Sequence, residues 1–221
     1  FEGKQVEATV LFTDTQDFTS ISEQLSPADL LTWLNRGMGL LVQEITSHGG
    51  IINKFTGDGL LAVFGAPISQ GIAMDTRHAI DAALAIARRL EELNGELNAE
   101  QAPPMRVRIG IHAGPVIAGS MGSSTRLEYT VMGDTVNCAS RLENLARVPS
   151  DQVCRTLLSR QTLQQCPHHD LIWRSVGRLH VKGRLQDVDV LELNGMKPDA
   201  ALRTRNAPAD DPARSSDPEP Q

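Results

Sequence analysis

Apolar positions recur along the chain with two different periods, and their order predicts alternating strands and helices. Residues 6–13 form a mostly apolar run of strand length, and Ser26-Pro27 then supplies an N-cap and first-turn proline for a helix that ends near Ser47. Residues 51–55 and 60–64 predict two strands joined by a turn at Gly57-Asp58-Gly59. The other predicted elements are a helix at 73–97, strands at 105–117 and 127–132, a helix at 135–146, a short helix at 157–165, and strands at 171–181 and 188–193.

The order β-α-β-β-α-β is that of the ferredoxin-like, or split βαβ, unit. The sequence therefore predicts an α+β domain at 1–195, with a ferredoxin-like βαββαβ core and α/β additions at its C-terminal end. Residues 196–221 are rich in proline and poor in large apolar side chains, so they are predicted to be a disordered tail. Because the chain begins at Phe1 and not at Met, we expect a domain of a longer protein, with regulatory domains upstream.

Composition narrows the classes of partner. The formal net charge is -6, the pI is about 5.5 and only 4% of the residues are aromatic, which disfavours nucleic-acid binding. The three cysteines lack metal-binding spacing and are expected to be reduced thiols of a cytoplasmic domain. The apolar runs are too short to span a bilayer, although the parent protein could be attached to a membrane.

Two aspartates follow predicted strands. Asp14 comes directly after the first apolar run, and Asp58 lies at the tip of the predicted hairpin. Either residue alone is more often a turn former than a ligand. Together, on neighbouring strands, they would converge on one point, as a pair of magnesium ions requires.

Three further segments contain candidate phosphate-binding groups. Asn137 and Arg141 are four residues apart and share a helix face, which is more often only an exposed polar stripe. Arginine can nevertheless stabilise a phosphoryl transition state, and asparagine can hold a ribose. The loop at 15–19 precedes a helix start and is a candidate triphosphate cradle, and Lys182 is a candidate phosphate ligand in a turn.

These motifs occur in one order over residues 6–193, and together they resemble the class III nucleotidyl cyclases, the catalytic domains of adenylate and guanylate cyclases. The matching blocks are Leu11-Phe12-Thr13-Asp14 followed by Phe18-Thr19, Lys54-Phe55-Thr56-Gly57-Asp58, Gly110-Ile111-His112-Ala113-Gly114, Gly133-Asp134-Thr135-Val136-Asn137 and Ala139-Ser140-Arg141.

The resemblance implies conversion of a nucleoside triphosphate to a 3′,5′-cyclic monophosphate and pyrophosphate, with two Mg²⁺ or Mn²⁺ ions per site. Asp14 and Asp58 match the metal ligands, and the backbone carbonyl of Thr15 matches a further one. Asn137 and Arg141 match the catalytic residues on the ribose and the reacting phosphorus. Substrate-binding positions are matched by Lys182 on the triphosphate and by Phe18 and Thr19 of the first motif.

Base choice falls to Lys54 and Thr130, which match the pair that reads adenine. A cationic donor suits N1 of adenine, an acceptor, whereas guanine N1-H favours a carboxylate. The resemblance thus implies an adenylate cyclase acting on ATP. The alternatives are a guanylate cyclase and a non-catalytic module for dimerisation or nucleotide sensing.

In this family the domain is a dimer with sites shared between subunits, so we expect a homodimer. Residues 116–127 match the arm that wraps the partner. Gln16 and Asp17 depart from the pattern, because many members have Arg or Val and then Gly there. This departure can raise the negative charge near the triphosphate entrance.

Overall fold

A computed structural model describes residues 3–180 and 187–198 of the chain. The elements in chain order are β1 (Lys4–Thr15), α1 (Phe18–Gln24), α2 (Pro27–Ser47), β2 (Ile51–Phe55), β3 (Leu60–Phe64), α3 (Ile72–Ala99), β4 (Val107–Ser123), β5 (Arg126–Met132), α4 (Asp134–Leu145), β6 (Cys154–Ser159), α5 (Arg160–Gln164), β7 (Leu171–Leu179) and β8 (Val188–Met196). No helix within these residues is both long and apolar enough to cross a membrane.

The strands form one mixed sheet in the order β2-β3-β1-β4-β6-β8-β7, with β5 paired to β4. Its first four strands have the order of the ferredoxin-like unit, and β1 is antiparallel to both of its neighbours, β3 and β4. The predicted α+β fold, with a ferredoxin-like core and C-terminal additions, is confirmed. Among those additions, β5 is antiparallel to β4 and β6 is parallel to it.

Both faces of the central strands are covered. Leu11 of β1 belongs to a large core under α2 and α3, whereas its neighbour Val10 belongs to a smaller core with Ala139 of α4. Because successive side chains of a strand point to opposite faces, burial on both faces produces the continuous apolar run that begins the sequence. Helix α4 therefore packs on the face of the sheet opposite the one that α2 and α3 cover.

Most predicted elements lie where the pattern placed them, and Ser26 caps α2 by accepting a hydrogen bond from the Asp29 amide at 3.2 Å. The helix predicted at 157–165 is wrong in its first part, because residues 157–159 belong to strand β6 and the helix starts at Arg160. Leu158 packs in the large core while Leu157 packs on the opposite face, so the two adjacent leucines form a doubly buried strand.

At the C-terminal end, β8 continues to Met196, and residues 199–221 lie outside the described range, so the disordered tail stays a prediction.

One glycine fixes how closely α4 approaches the sheet. A Cβ on Gly110 of β4 would overlap the carbonyl oxygen of Ala139 and the amide nitrogen of Glu143, both backbone atoms of α4. Backbone atoms cannot move aside as a flexible side chain can. Gly110 therefore allows the helix that carries Asn137 and Arg141 to rest directly on the sheet.

We expect Gly110→Ala to lower the free energy of unfolding by about 1–3 kcal/mol, because the added methyl group pushes α4 off β4. Urea unfolding measures the loss. Gly39→Ala is the matched control: Gly39 lies inside α2 with no atom near its missing Cβ, and alanine there should stabilise by about 0.5–1 kcal/mol. Equal effects of the two substitutions would contradict the close-approach explanation.

Candidate active site

The ends of β1 and β3 bring two carboxylates together. A Cβ on Gly59 would overlap the carbonyl oxygen of Thr13, so the glycine lets the start of β3 lie against the end of β1. Thr15 then donates its hydroxyl to the carbonyl of Asp58 at 2.7 Å, and its backbone amide donates to Oδ1 of Asp14 at 3.0 Å. Asp14, Thr15 and Asp58, the predicted metal ligands, therefore lie at one point, which we call the carboxylate site.

Two further charged residues, which the sequence pattern does not indicate as site residues, adjoin the carboxylate site. Arg108 of β4 lies opposite Asp14 in the strand register and forms an ion pair with it. The Nε of Arg108 is 3.2 Å from Oε1 of Glu143, a buried residue of α4. Arg108 stands out in the sequence as a charged residue in an otherwise apolar strand. Its partner, Asp14, cannot be predicted because the sequence does not give the strand register.

Two of the side chains at this point, Asp58 and Glu143, have raised pKa values. The pKa of Asp58 is raised to about 6. Burial is the largest cause, followed by the hydrogen bond and the negative charge of Asp14. Burial also raises the pKa of Glu143 to about 7, against the attraction of Arg108 and with the repulsion of Asp14 and Asp58. Three acidic groups thus face one guanidinium, and the excess negative charge suits a cation.

The geometry fits a divalent ion that brings other ligands with it. Within the described ranges, no group of three His, Cys, Asp or Glu side chains could hold a metal by itself. Magnesium is usually bound by one or two carboxylates together with water and substrate phosphates, and not by an all-protein cage. Asp14 and Asp58 supply such a pair of carboxylates, and the role of the Thr15 carbonyl stays a prediction.

The two departures from the family pattern lie beside this site. Gln16 is buried, donates from Nε2 to the carbonyl of Val148 at 2.7 Å, and accepts from the Val148 amide at 2.5 Å. Asp17 has φ 57°, a left-handed conformation that explains the glycine found in many members, and it pairs with Arg106 at 2.7 Å. The charge of Asp17 is therefore offset by Arg106, and Gln16 adds none.

The other predicted residues of the first motif lie in α1. The ring of Phe18 packs against the large core, as expected of a structural residue. Thr19 is exposed, and its carbonyl accepts the hydroxyl of Ser22 at 2.6 Å. Their roles in substrate binding stay predictions, as does that of Lys182, which lies outside the described residues.

Asn137 and Arg141 lie on the side of α4 that faces away from its own sheet. The backbone at Ala139 and Glu143 contacts β4, and each of the two polar residues is two positions, or about 200° around the helix, from one of these. Among the described residues, neither polar side chain has a hydrogen-bond or ion-pair partner. Neither side chain is therefore used to hold the described fold together.

The predicted base-reading residues occupy neighbouring strands. Lys54 is exposed on β2, and Thr130 is half-buried on β5, which contacts both β2 and α4. The structure therefore brings Asp14, Thr15 and Asp58 together, and it places Lys54, Thr130, Asn137 and Arg141 on the neighbouring elements β2, β5 and α4.

Comparison with known proteins agrees with this geometry. The model of the adenylate and guanylate cyclase catalytic domain family matches residues 2–194. The chain is 40% identical over 194 residues to Adenylate cyclase 1 of Rhizobium meliloti (strain 1021), a match that covers 86% of this chain and 28% of that protein. It spans less than a third of the length of the curated relatives it matches.

Two solved structures have the same fold. The adenylyl cyclase CyaB from P. aeruginosa is 30% identical, with a TM-score of 0.81 over 90% of this chain and 99% of that one. The guanylyl cyclase Cya2 is 32% identical, with a TM-score of 0.78 over 90% of this chain and 96% of that one. The chain belongs to the adenylate and guanylate cyclase catalytic domain family, and it is a nucleotidyl cyclase catalytic domain.

The raised pKa of Glu143 predicts how the metal-free domain responds to pH. In the folded state Glu143 keeps its proton up to about pH 7, whereas in the unfolded chain it releases the proton near pH 4.5. Between these values the folded state binds more protons, so its stability falls as the pH rises. Glu143→Gln removes the ionisation and should stabilise the protein at pH 8 by about 1–3 kcal/mol, with little difference near pH 4.

Urea unfolding in a chelator at several pH values measures this difference. The exposed Glu23 of α1 offers a matched control, since Glu23→Gln removes one acidic group outside the site and should leave the pH profile of the parent intact. If the free energy of unfolding of Glu143→Gln runs parallel to that of the parent from pH 4 to 8, the raised pKa of Glu143 is contradicted.

Proposed function

We propose that this domain is an adenylate cyclase that converts ATP to 3′,5′-cyclic AMP and pyrophosphate at two sites shared by a homodimer. The ribose 3′-oxygen attacks the α-phosphorus, its proton is released, and the bond from that phosphorus to the oxygen of the β-phosphate breaks. The observation that carries the proposal is the convergence of Asp14 and Asp58 where β1 meets β3, in a site with excess negative charge.

The chain's own groups have distinct tasks in this proposal. When bound, two Mg²⁺ or Mn²⁺ ions would supply Lewis-acid activation of the 3′-hydroxyl and neutralise phosphate charge. Asp14, Asp58 and the Thr15 carbonyl would hold them. Arg141 stabilises charge on the reacting phosphoryl group, and Asn137 orients the ribose by hydrogen bonds.

Lys54 favours adenine over guanine. Its ammonium group donates to N1 of adenine, whereas N1 of guanine carries a hydrogen and repels a donor. A guanylate cyclase is the second candidate, because solved relatives include enzymes named for each nucleotide. The cation at position 54, where a carboxylate would suit guanine, makes ATP the preferred substrate.

The dimer is supported by exposed apolar side chains and by the direction of the α4 polar pair. Large apolar residues along the hairpin of β4 and β5 are 40–56% exposed, which is typical of an interaction surface. These residues are Ile117, Met121, Leu127, Tyr129 and Met132. A two-fold dimer through this hairpin would let the Asn137 and Arg141 of one subunit serve the carboxylate site of its partner.

A substrate assay with ATP and GTP in Mg²⁺ or Mn²⁺ tests the activity. We expect cyclic AMP and pyrophosphate in equal amounts, with GTP the poorer substrate. Asp58→Asn should lower turnover at least ~10²-fold, because a neutral amide replaces an anionic ligand. The exposed Asp151 gives the matched control, and Asp151→Asn should keep the parental rate. A parent that releases no pyrophosphate from either nucleotide would instead indicate a non-catalytic module.

Mixing inactive variants tests the shared site. A mixed dimer contains one Asp58→Asn subunit and one Arg141→Ala subunit. One of its two sites combines the native Asp58 of the second subunit with the native Arg141 of the first. A one-to-one mixture should regain about a quarter of the parental activity, because half of the dimers are mixed and each has one intact site.

The control mixture combines Asp58→Asn with Asp14→Ala. Both positions belong to the same carboxylate site, so neither site of that mixed dimer is intact and activity should stay low. Recovery of activity in both mixtures, or in neither, would contradict the shared-site model.

A further inference from the structure

Asn53, the residue before Lys54, occupies an irregularity in the β2–β3 ladder. Ile52 pairs with Ala62 and Lys54 pairs with Leu61, so Asn53 is an extra residue without a partner on β3. An extra residue of this kind is a β-bulge, which turns a side chain to a new direction and is frequent beside active sites. Here the bulge turns the Asn53 side chain to β5.

The hydrogen bonds of Asn53 define which way its amide faces. Nδ2 donates to the backbone carbonyl of Tyr129 at 2.9 Å. A carbonyl oxygen can only accept, so the amide nitrogen must lie on that side and Oδ1 must lie on the other. Oδ1 is 3.5 Å from the hydroxyl of Thr130, a long contact in which the threonine donates.

A hydroxyl has one hydrogen and two lone pairs. If the Thr130 hydrogen points to Asn53, the lone pairs of Thr130 are left for the nucleotide. Adenine has an amino group at C6, a hydrogen-bond donor, whereas guanine has an oxygen there, an acceptor. Lone pairs facing the amino group attract it, and lone pairs facing the oxygen repel it.

We propose that Asn53 determines purine choice by fixing the Thr130 hydroxyl as an acceptor towards the base. This inference rests on the proposed function, in which Lys54 and Thr130 face the base. Asn53 is a positioning residue, because it acts on the base through the hydroxyl of Thr130. Guanine is then rejected because its C6 oxygen faces the lone pairs of Thr130 and its N1 hydrogen faces the ammonium group of Lys54.

A double-mutant cycle on the ratio of kcat/KM for ATP to kcat/KM for GTP tests this role. Asn53→Ala frees the Thr130 hydroxyl to rotate and to donate to guanine, so the ratio should fall about five- to tenfold. Thr130→Val removes the hydroxyl but keeps the shape. In the Thr130→Val background, Asn53→Ala should leave the ratio unchanged, because no hydroxyl remains to be oriented.

An Asn35→Ala variant is the control, since Asn35 is exposed on α2 and should affect neither the ratio nor turnover. Two results would overturn the inference. One is an unchanged ratio in Asn53→Ala, including equal losses with ATP and GTP as expected of a merely structural residue, and the other is an equal fall of the ratio in both backgrounds.

The same cycle can be run by calorimetric binding of α,β-methylene ATP and GTP. This readout needs no turnover and therefore distinguishes the two proposals. A parent that binds both analogues but releases no pyrophosphate contradicts the proposed activity, while the binding ratios still decide the role of Asn53. A parent that prefers guanine contradicts both.

Discussion

The contact between the start of β3 and the end of β1 is the constraint on which the rest of the site depends. Gly59 lies against the carbonyl of Thr13, and no larger residue would fit. This approach places Asp58 beside Asp14, although two carboxylates repel each other. The β1–β3 ladder and the bond from Thr15 to the Asp58 carbonyl hold the arrangement, so the fold supplies what the charges alone oppose.

The neighbouring strand β4 connects this site to α4. Arg108 faces Asp14 and Glu143, and two residues later, on the same face, Gly110 lets α4 rest on the strand. The same helix therefore closes the carboxylate site with Glu143 and presents Asn137 and Arg141 on its other side. A domain arranged in this way has half of a reaction centre on each of two surfaces, which is the physical basis for proposing a shared site.

Much of this organisation was predictable from the sequence, and the failures have a common cause. Apolar periodicity and turn residues placed nearly every element, and the strand order followed from the order of the elements. The pattern predicts a helix for Leu157 and Leu158, which lie in a strand, because a short apolar run does not reveal its period. Arg108, Glu143 and Asn53 were missed because their importance depends on strand register, on helix packing and on a bulge, which are properties of pairs of elements.

The segment from Asn53 to Asp58 illustrates how one hairpin can contribute to both surfaces. The bulge at Asn53, the residue before Lys54, connects β2 to β5. Gly57, with φ 76°, then turns the chain so that Asp58 reaches β1. Lys54 and Asp58 are four residues apart, yet the bonds beside them run to different strands: Asn53 bonds to Tyr129 of β5, and Asp58 accepts a bond from Thr15 of β1. Since α4 directs its polar pair away from the carboxylate site of its own subunit, the base reader and the metal ligand of one hairpin would serve different nucleotides.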